Sequence, residues 1–237
     1  MLTLSTGPRR AAQRGLGLIE MMVGITVGMI VVAGASVMMV NQVNEHRRLM
    51  LETQVQQDLR AVGDLVLRDL RRSGYWAVPQ RGIWAPEAGG AAAATPITNP
   101  YSVTTPTAQS TVSEIRYAYS RESSDAENNT ANSATESFGF KLEDNTLKFR
   151  LGNAWQPLTD PGTLVVTAFN VTLNVQNVSL ADACEVDCAG AANCPPVQQV
   201  RNFTVLLQGR AAHDAAVVRT VRLVSRLRND RIVGVCP

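Results

Sequence analysis

One carboxylate in this chain stands where a carboxylate is costly. Glu20 is the only charged residue in the 25 positions from Leu16 to Val40. An ionisable group inside such a segment marks a function by default, because hydrocarbon solvates a charge poorly unless a counter-charge meets it. The chemistry on offer is electrostatic: a fixed anion placed to meet an ammonium. A second set of reactive groups is Cys184, Cys188, Cys194 and Cys236. In an oxidising compartment an even number reads as disulfides, with three pairings open. Zinc is the rival, but there is no CxxC pair and no nearby histidine, so no metal is expected. Asp182, Glu185 and Asp187 lack the D-x-D-x-D-G order of a calcium loop. The two histidines, His46 and His213, accompany no G-x-S-x-G, P-loop or HExxH motif. His213 and Asp214 are sequence neighbours, whose side chains point apart in an extended chain. No catalytic residue, enzyme activity or cofactor is expected.

The element that must position Glu20 is a helix. Twenty-five residues rise about 37 Å at ~1.5 Å each, enough to cross a hydrocarbon core of ~30 Å with some tilt. Arg9, Arg10 and Arg14 precede it without an acid and carry +3. From Leu16 to Gly74 six arginines balance six acids, and from Tyr75 onward 13 basic residues face 14 acidic ones. The net charge of +2 therefore comes from the leader. The positive-inside rule puts that leader in the cytoplasm and everything beyond Val40 across the membrane. With the excess gone from the rest of the chain, the charge argument for a nucleic-acid partner goes too.

An ordinary secretory signal places its cleavage site after the apolar core. Here the order Arg14-Gly15-Leu16-Gly17-Leu18-Ile19-Glu20 is reversed, with glycine before the core. These residues resemble the class III signal of type IV prepilins. The resemblance implies cleavage between Gly15 and Leu16 by prepilin peptidase, N-methylation of Leu16, and pairing of Glu20 with the new terminal amine of a neighbouring subunit. Leu16 stands where phenylalanine is usual in that family, and Gly17 where Thr or Ser is common. Gly24 and Gly28 form a GxxxG spacing and Gly34 adds a third small residue, a weak signal for close helix approach.

Past Val40 the pattern turns amphipathic. Leu51, Val55, Leu59, Val62, Val66 and Leu70 step by fours and a three, one face of a helix. Gly74 follows as a C-cap glycine. A helix from Leu16 to Ser73 is expected, its first half in a membrane or filament core and its second half docked on a folded head. The stretch Leu70 to Trp76, LRRSGYW, is similar to the corresponding region of PilW-type minor pilins of the type IV pilus.

The head reads as β-rich. Ala85 to Ser113 is rich in Ala, Pro, Thr and Gly and is expected to be irregular. Ser120 to Ser137 is polar and is expected to be a mobile loop. Ile115, Tyr117 and Tyr119 alternate as a strand. Ser137–Glu143 and Thr146–Leu151 flank Asp144-Asn145 as a hairpin. Leu164–Val175, Phe203–Gly209 and Val217–Leu227 are further strands, with the cysteine loop between the first two and Cys236 tying the tail to it. An α+β, pilin-like fold follows: a long N-terminal helix packed on an antiparallel sheet of five or six strands. The expected division is residues 1–15 as cytoplasmic leader, 16–40 as transmembrane or filament-core helix, 41–74 as its amphipathic continuation, and 75–237 as periplasmic head.

The resemblance implies a structural subunit that helps initiate pilus assembly and sits at or near the tip. Its implied partners are prepilin peptidase, other minor pilins, the major pilin and a large tip adhesin. The implied location is the inner membrane in a single pass, then the pilus. A minor pseudopilin of type II secretion shares the same leader and layout. An adhesive or DNA-binding pilin is the other alternative, resting on Arg219, Arg222, Arg226, Arg228 and Arg231 near the C-terminus.

Overall fold

The computed structural model describes residues 17–82, 97–101, 106–188, 190, 193–234 and 236. Gly15 and Leu16 lie outside them, as does most of the Ala-rich part of the expected connection. A single helix, α1 (Leu18–Leu70), contributes to both of the compact units into which the chain divides, Met1–Leu49 and Met50–Pro237. In the first unit every described residue is exposed.

Among its described residues the second unit holds the last turns of α1 and nine strands in two antiparallel sheets. One sheet orders β1 (Thr111–Val112), β6 (Leu164–Ser179), β7 (Val197–Ala211) and β8 (Val218–Arg226), with β9 (Arg231–Val233) also on β7. The other runs β2 (Glu114–Ala118), β3 (Ser137–Glu143), β4 (Thr146–Leu151) and β5 (Ala154–Pro157). The single sheet expected from sequence is thus two. Alternation reveals which face of a strand is buried, but not which distant strand it pairs with.

Local signals placed the elements well. Asp144 and Asn145 both take positive φ, 53° and 58°, the conformation a two-residue hairpin requires of both central positions. The β3–β4 register runs from Glu143↔Thr146 to Phe138↔Leu151. Val55, Leu59, Val66 and Leu70 are buried on the expected helix face, and Gly63 and Leu67 join them. Their core partners include Phe140, Phe169, Phe203, Val205 and Leu207. The helix end unwinds through a turn to Gly74, at φ 72°, whose amide donates to the Ala118 carbonyl at 2.8 Å. Asp69 in the final turn of α1 accepts from the Tyr117 and Tyr119 hydroxyls, tying the helix end to β2.

The segments between elements carry more order than their composition indicates. Thr111 and Val112, inside the stretch expected to be irregular, pair with Thr172 and Val171 as β1. Ser120 to Glu136, expected to be a mobile loop, is held by a network of hydrogen bonds. Glu136 is 2% exposed. Its carboxylate accepts from the amides of Arg121 (3.0 Å) and Asn132 (2.8 Å) and from the Tyr101 hydroxyl. Tyr101 also donates to Glu127 at 3.0 Å, and Trp76 Nε1 donates to Asn129 at 3.1 Å. A polar composition predicts disorder only while its polar groups have no better partner than water.

Candidate functional site

Glu20 lies in the first turn of α1, where the Glu20 and Met21 amides both donate to the Gly17 carbonyl, at 3.0 and 3.2 Å. The helix macrodipole favours an anion there by about 0.3–1 kcal/mol. Burying a charge in a bilayer costs on the order of 2.5–3.5 kcal/mol even on insertion scales. The dipole alone does not offset that, and among the described residues no cation is paired with Glu20. The carboxylate therefore needs a charge from elsewhere.

The segment that carries it is built for a non-aqueous neighbour. Its mean hydropathy reaches 2.3 over an 18-residue window, with none of that window buried. Leu18 is 80% exposed and Met38 75%, a density of exposed apolar surface that water alone would not tolerate. Its two hydroxyls satisfy themselves within the helix: Thr26 donates to the Val23 carbonyl at 2.9 Å and Ser36 to Val32 at 2.8 Å. That leaves neither hydroxyl of this wall unsatisfied, as a lipid or helix-packed environment demands. Gly24 and Gly28, one turn apart, have open space where a Cβ would stand, so a neighbouring backbone can approach them closely.

The cysteines lie at one end of the long β6–β7 hairpin. Cys188 pairs with Cys194 inside the connecting loop, and Cys184 pairs with Cys236, 52 positions on. The second bond closes the tail, including β9, back onto the loop. Asp182, Glu185 and Asp187 are exposed around it.

The basic C-terminal positions do not form one free patch. Arg219 pairs with Glu52 of α1, and Arg226 pairs with Asp230 at 2.6 Å. Arg222 is exposed on β8, while Arg228 and Arg231 border a cleft near the chain end. His213 is exposed in the β7–β8 turn, and Asp214 there accepts the Ala216 amide at 2.9 Å, shaping the turn rather than orienting an imidazole.

Sequence reasoning missed the acid–phenol cluster at Tyr101, Glu127 and Glu136. Its only advance sign was a set of four acids, Glu122, Asp125, Glu127 and Glu136, within a Ser/Asn-rich stretch. Burial pushes the Tyr101 hydroxyl well above its usual range, and the neighbouring carboxylates add to this. Tyr117 and Tyr119 are raised for the same two reasons, burial first and Asp69 second. These groups hold protons firmly and brace the fold.

An exposed apolar helix with a carboxylate in its first turn, on a chain whose folded unit is α+β, defines a prepilin-type, pilin-like protein. Residues 10–36 match the prokaryotic N-terminal methylation motif. Residues 48–227, about three-quarters of the chain, match the family of prepilin peptidase-dependent protein B, and the chain belongs to that family. No curated protein and no solved structure matches it.

Proposed function

We propose that this chain is a minor pilin of PilW type, a structural subunit that helps start type IV pilus assembly and resides at or near the filament tip. Residues 1–15 serve as the cytoplasmic leader, 16–40 as the membrane and filament-core segment, 41–74 as the amphipathic continuation, and 75–237 as the periplasmic head. Prepilin peptidase cuts between Gly15 and Leu16, and Leu16 is then N-methylated. The new amine supplies the charge that Glu20 lacks, in a neighbouring subunit once the chains stack. Other minor pilins, the major pilin and a large tip adhesin are the partners in this reading. The chain waits in the inner membrane before it enters the pilus.

The observation that carries this reading is the isolated carboxylate in the first turn of an exposed apolar helix, inside the stretch 10–36 that matches the methylation motif. Its test is the mass of the mature N-terminal peptide from native membranes. Leu16 bearing one added methyl group is expected; a chain that keeps Met1 to Gly15 refutes the proposal. Co-purification with pilus proteins rather than secretion components separates this role from that of a type II secretion pseudopilin.

A further inference from the structure

Arg201 occupies an odd place on β7. Phe203, Val205 and Leu207 follow it at alternate positions and are all buried core residues, so Arg201 continues an apolar row with a guanidinium. It is 6% exposed. Its Nη2 donates to the Asn229 carbonyl at 2.7 Å, but its Nε has no partner. The Asn229 side-chain amide nitrogen is likewise buried and unpaired. Among the described residues no carboxylate forms an ion pair with Arg201. Asp230, the acid nearby, spends one oxygen on Arg226 and Gln198, at 2.6 and 2.7 Å, and leaves the other unpaired. Burial lowers the Arg201 pKa, Arg231 lowers it further, and Asp230 acts the other way.

Arg201 and Asn229, the residues that carry the idle donors, both line one cleft of about 670 Å³, within the usual range for a ligand site, ~300–1,000 Å³. Trp76 and Ile232 give it apolar walls, and Arg228 and Arg231 leave it net positive against Asp230. One wall is β9, which among the described residues pairs with β7 alone. Among the described residues its outward backbone groups have no strand partner, which is the edge an added strand would take. The Cys184–Cys236 bond fixes the tail just beyond this wall, so the cleft is held in shape before any guest arrives.

We propose that the cleft captures a carboxylate carried on an extended peptide of a partner protein, the carboxylate seated against Arg201 and Asn229. Two unpaired buried donors and a cation call for an anionic oxygen acceptor. The strand edge and the apolar walls call for a peptide around it. The cleft lies wholly in Met50–Pro237 and needs neither leader cleavage nor Glu20, so this binding and the filament role can each fail alone.

The test is calorimetric titration of the full chain in detergent micelles. The probes are the blocked pentapeptide Thr-Val-Asp-Val-Thr, its Asn counterpart, and sodium acetate. The Asp peptide is expected to bind at least ~tenfold more tightly than the Asn peptide, a difference of ~1.4 kcal/mol. Added salt weakens it, and acetate displaces it only at far higher concentration. Arg201→Gln is expected to cost about tenfold or more and Arg231→Gln a smaller factor. If Arg201→Gln does not fold, the Asp/Asn contrast and the exposed Arg231 decide. Equal binding of the two peptides, no binding of either, acetate competing as well as the peptide, or a folded Arg201→Gln chain that binds unchanged would each overturn the proposal.

Discussion

Replacing Glu136 by alanine should free the loop from Ser120 to Glu136 without unfolding the rest. Its carboxylate holds the Arg121 and Asn132 amides at 3.0 and 2.8 Å and lies 3.4 Å from the Tyr101 hydroxyl. A hydrogen bond to a charged group contributes ~1.5–3 kcal/mol. Two such bonds at the low end give about 3 kcal/mol, and removing a buried charge recovers part of its desolvation cost. A net loss of ~2–3 kcal/mol remains, which multiplies the open population by about 30- to 150-fold. Arg121 provides the reporter, because trypsin cuts there only when the backbone leaves its hydrogen bonds. The assay is limited proteolysis of the full chain in micelles, with the Arg121 cut followed by mass spectrometry and Lys148, inside β4, as internal reference. The Arg121 rate should rise by the stated factor while the Lys148 rate changes little. Glu136→Gln keeps one acceptor and should fall between. If wild type is already cut at Arg121 as fast as an unfolded peptide, or if the alanine variant is cut no faster, the buried carboxylate does not organise this loop.

Four further outcomes follow from the packing. Tyr101, Tyr117 and Tyr119 have raised pKa values. Above pH ~10 the unfolded chain has lost phenolic protons that the native chain keeps, so stability is full below that pH and falls as pH rises beyond it; a phenolate absorbance titration should show the native chain lagging the denatured one. Leu59→Ala removes a fully buried side chain and should lower the unfolding free energy by ~2–5 kcal/mol in a urea titration of the full chain. A Cβ on Gly139 would stand 2.6 Å from the Ile115 carbonyl oxygen, so Gly139→Ala should force β2 and β3 apart, at about 1–3 kcal/mol in the same titration. Replacing Cys184 and Cys236 together opens the larger loop and should cost ~4 kcal/mol, against ~2 for Cys188 and Cys194, by paired thermal melts.

What could be read from sequence was set by contacts between near neighbours along the chain. The helix face from Leu51 to Leu70 repeats every three or four residues because adjacent turns share one buried side, so spacing alone exposes it. Asp144-Asn145 announces the β3–β4 hairpin because two successive residues at positive φ admit few side chains. The leader is equally local, with glycine, apolar residues and glutamate in direct succession. By contrast, β1 pairs with β6 across about 60 positions, from Thr111↔Thr172 to Val112↔Val171; a strand of two residues is too short for alternation to mark it. Cysteine pairing was open in sequence because it depends on where β9 returns, which β7 decides through Gln199↔Arg231 and its neighbours. Gly139 is set by a contact across strands, the approach of the Ile115 carbonyl, that its neighbours in sequence do not show.

Glu20 and Glu136 show why one acid was legible and the other was not. Both are carboxylates in a setting short of water, and each needs donors. Glu136 finds amides and a phenol within its own unit, from residues up to 35 positions away. Nothing in its immediate sequence identifies them, so composition reads it as one more acid in a polar loop. Glu20 has no such donors among the described residues: the amides of its first turn go to Gly17, and its flanks are Leu18, Ile19, Met21 and Met22. Its deficit is therefore visible in the bare sequence, as a charge stranded among apolar residues. A group whose needs are met by the fold is hidden until the fold is seen, whereas a group whose needs are met by another molecule stands out beforehand. Arg201 is the intermediate case, partly satisfied by Asn229 and partly not. Only the folded structure separates its met need from its unmet one, and the unmet share is what the proposed carboxylate would satisfy.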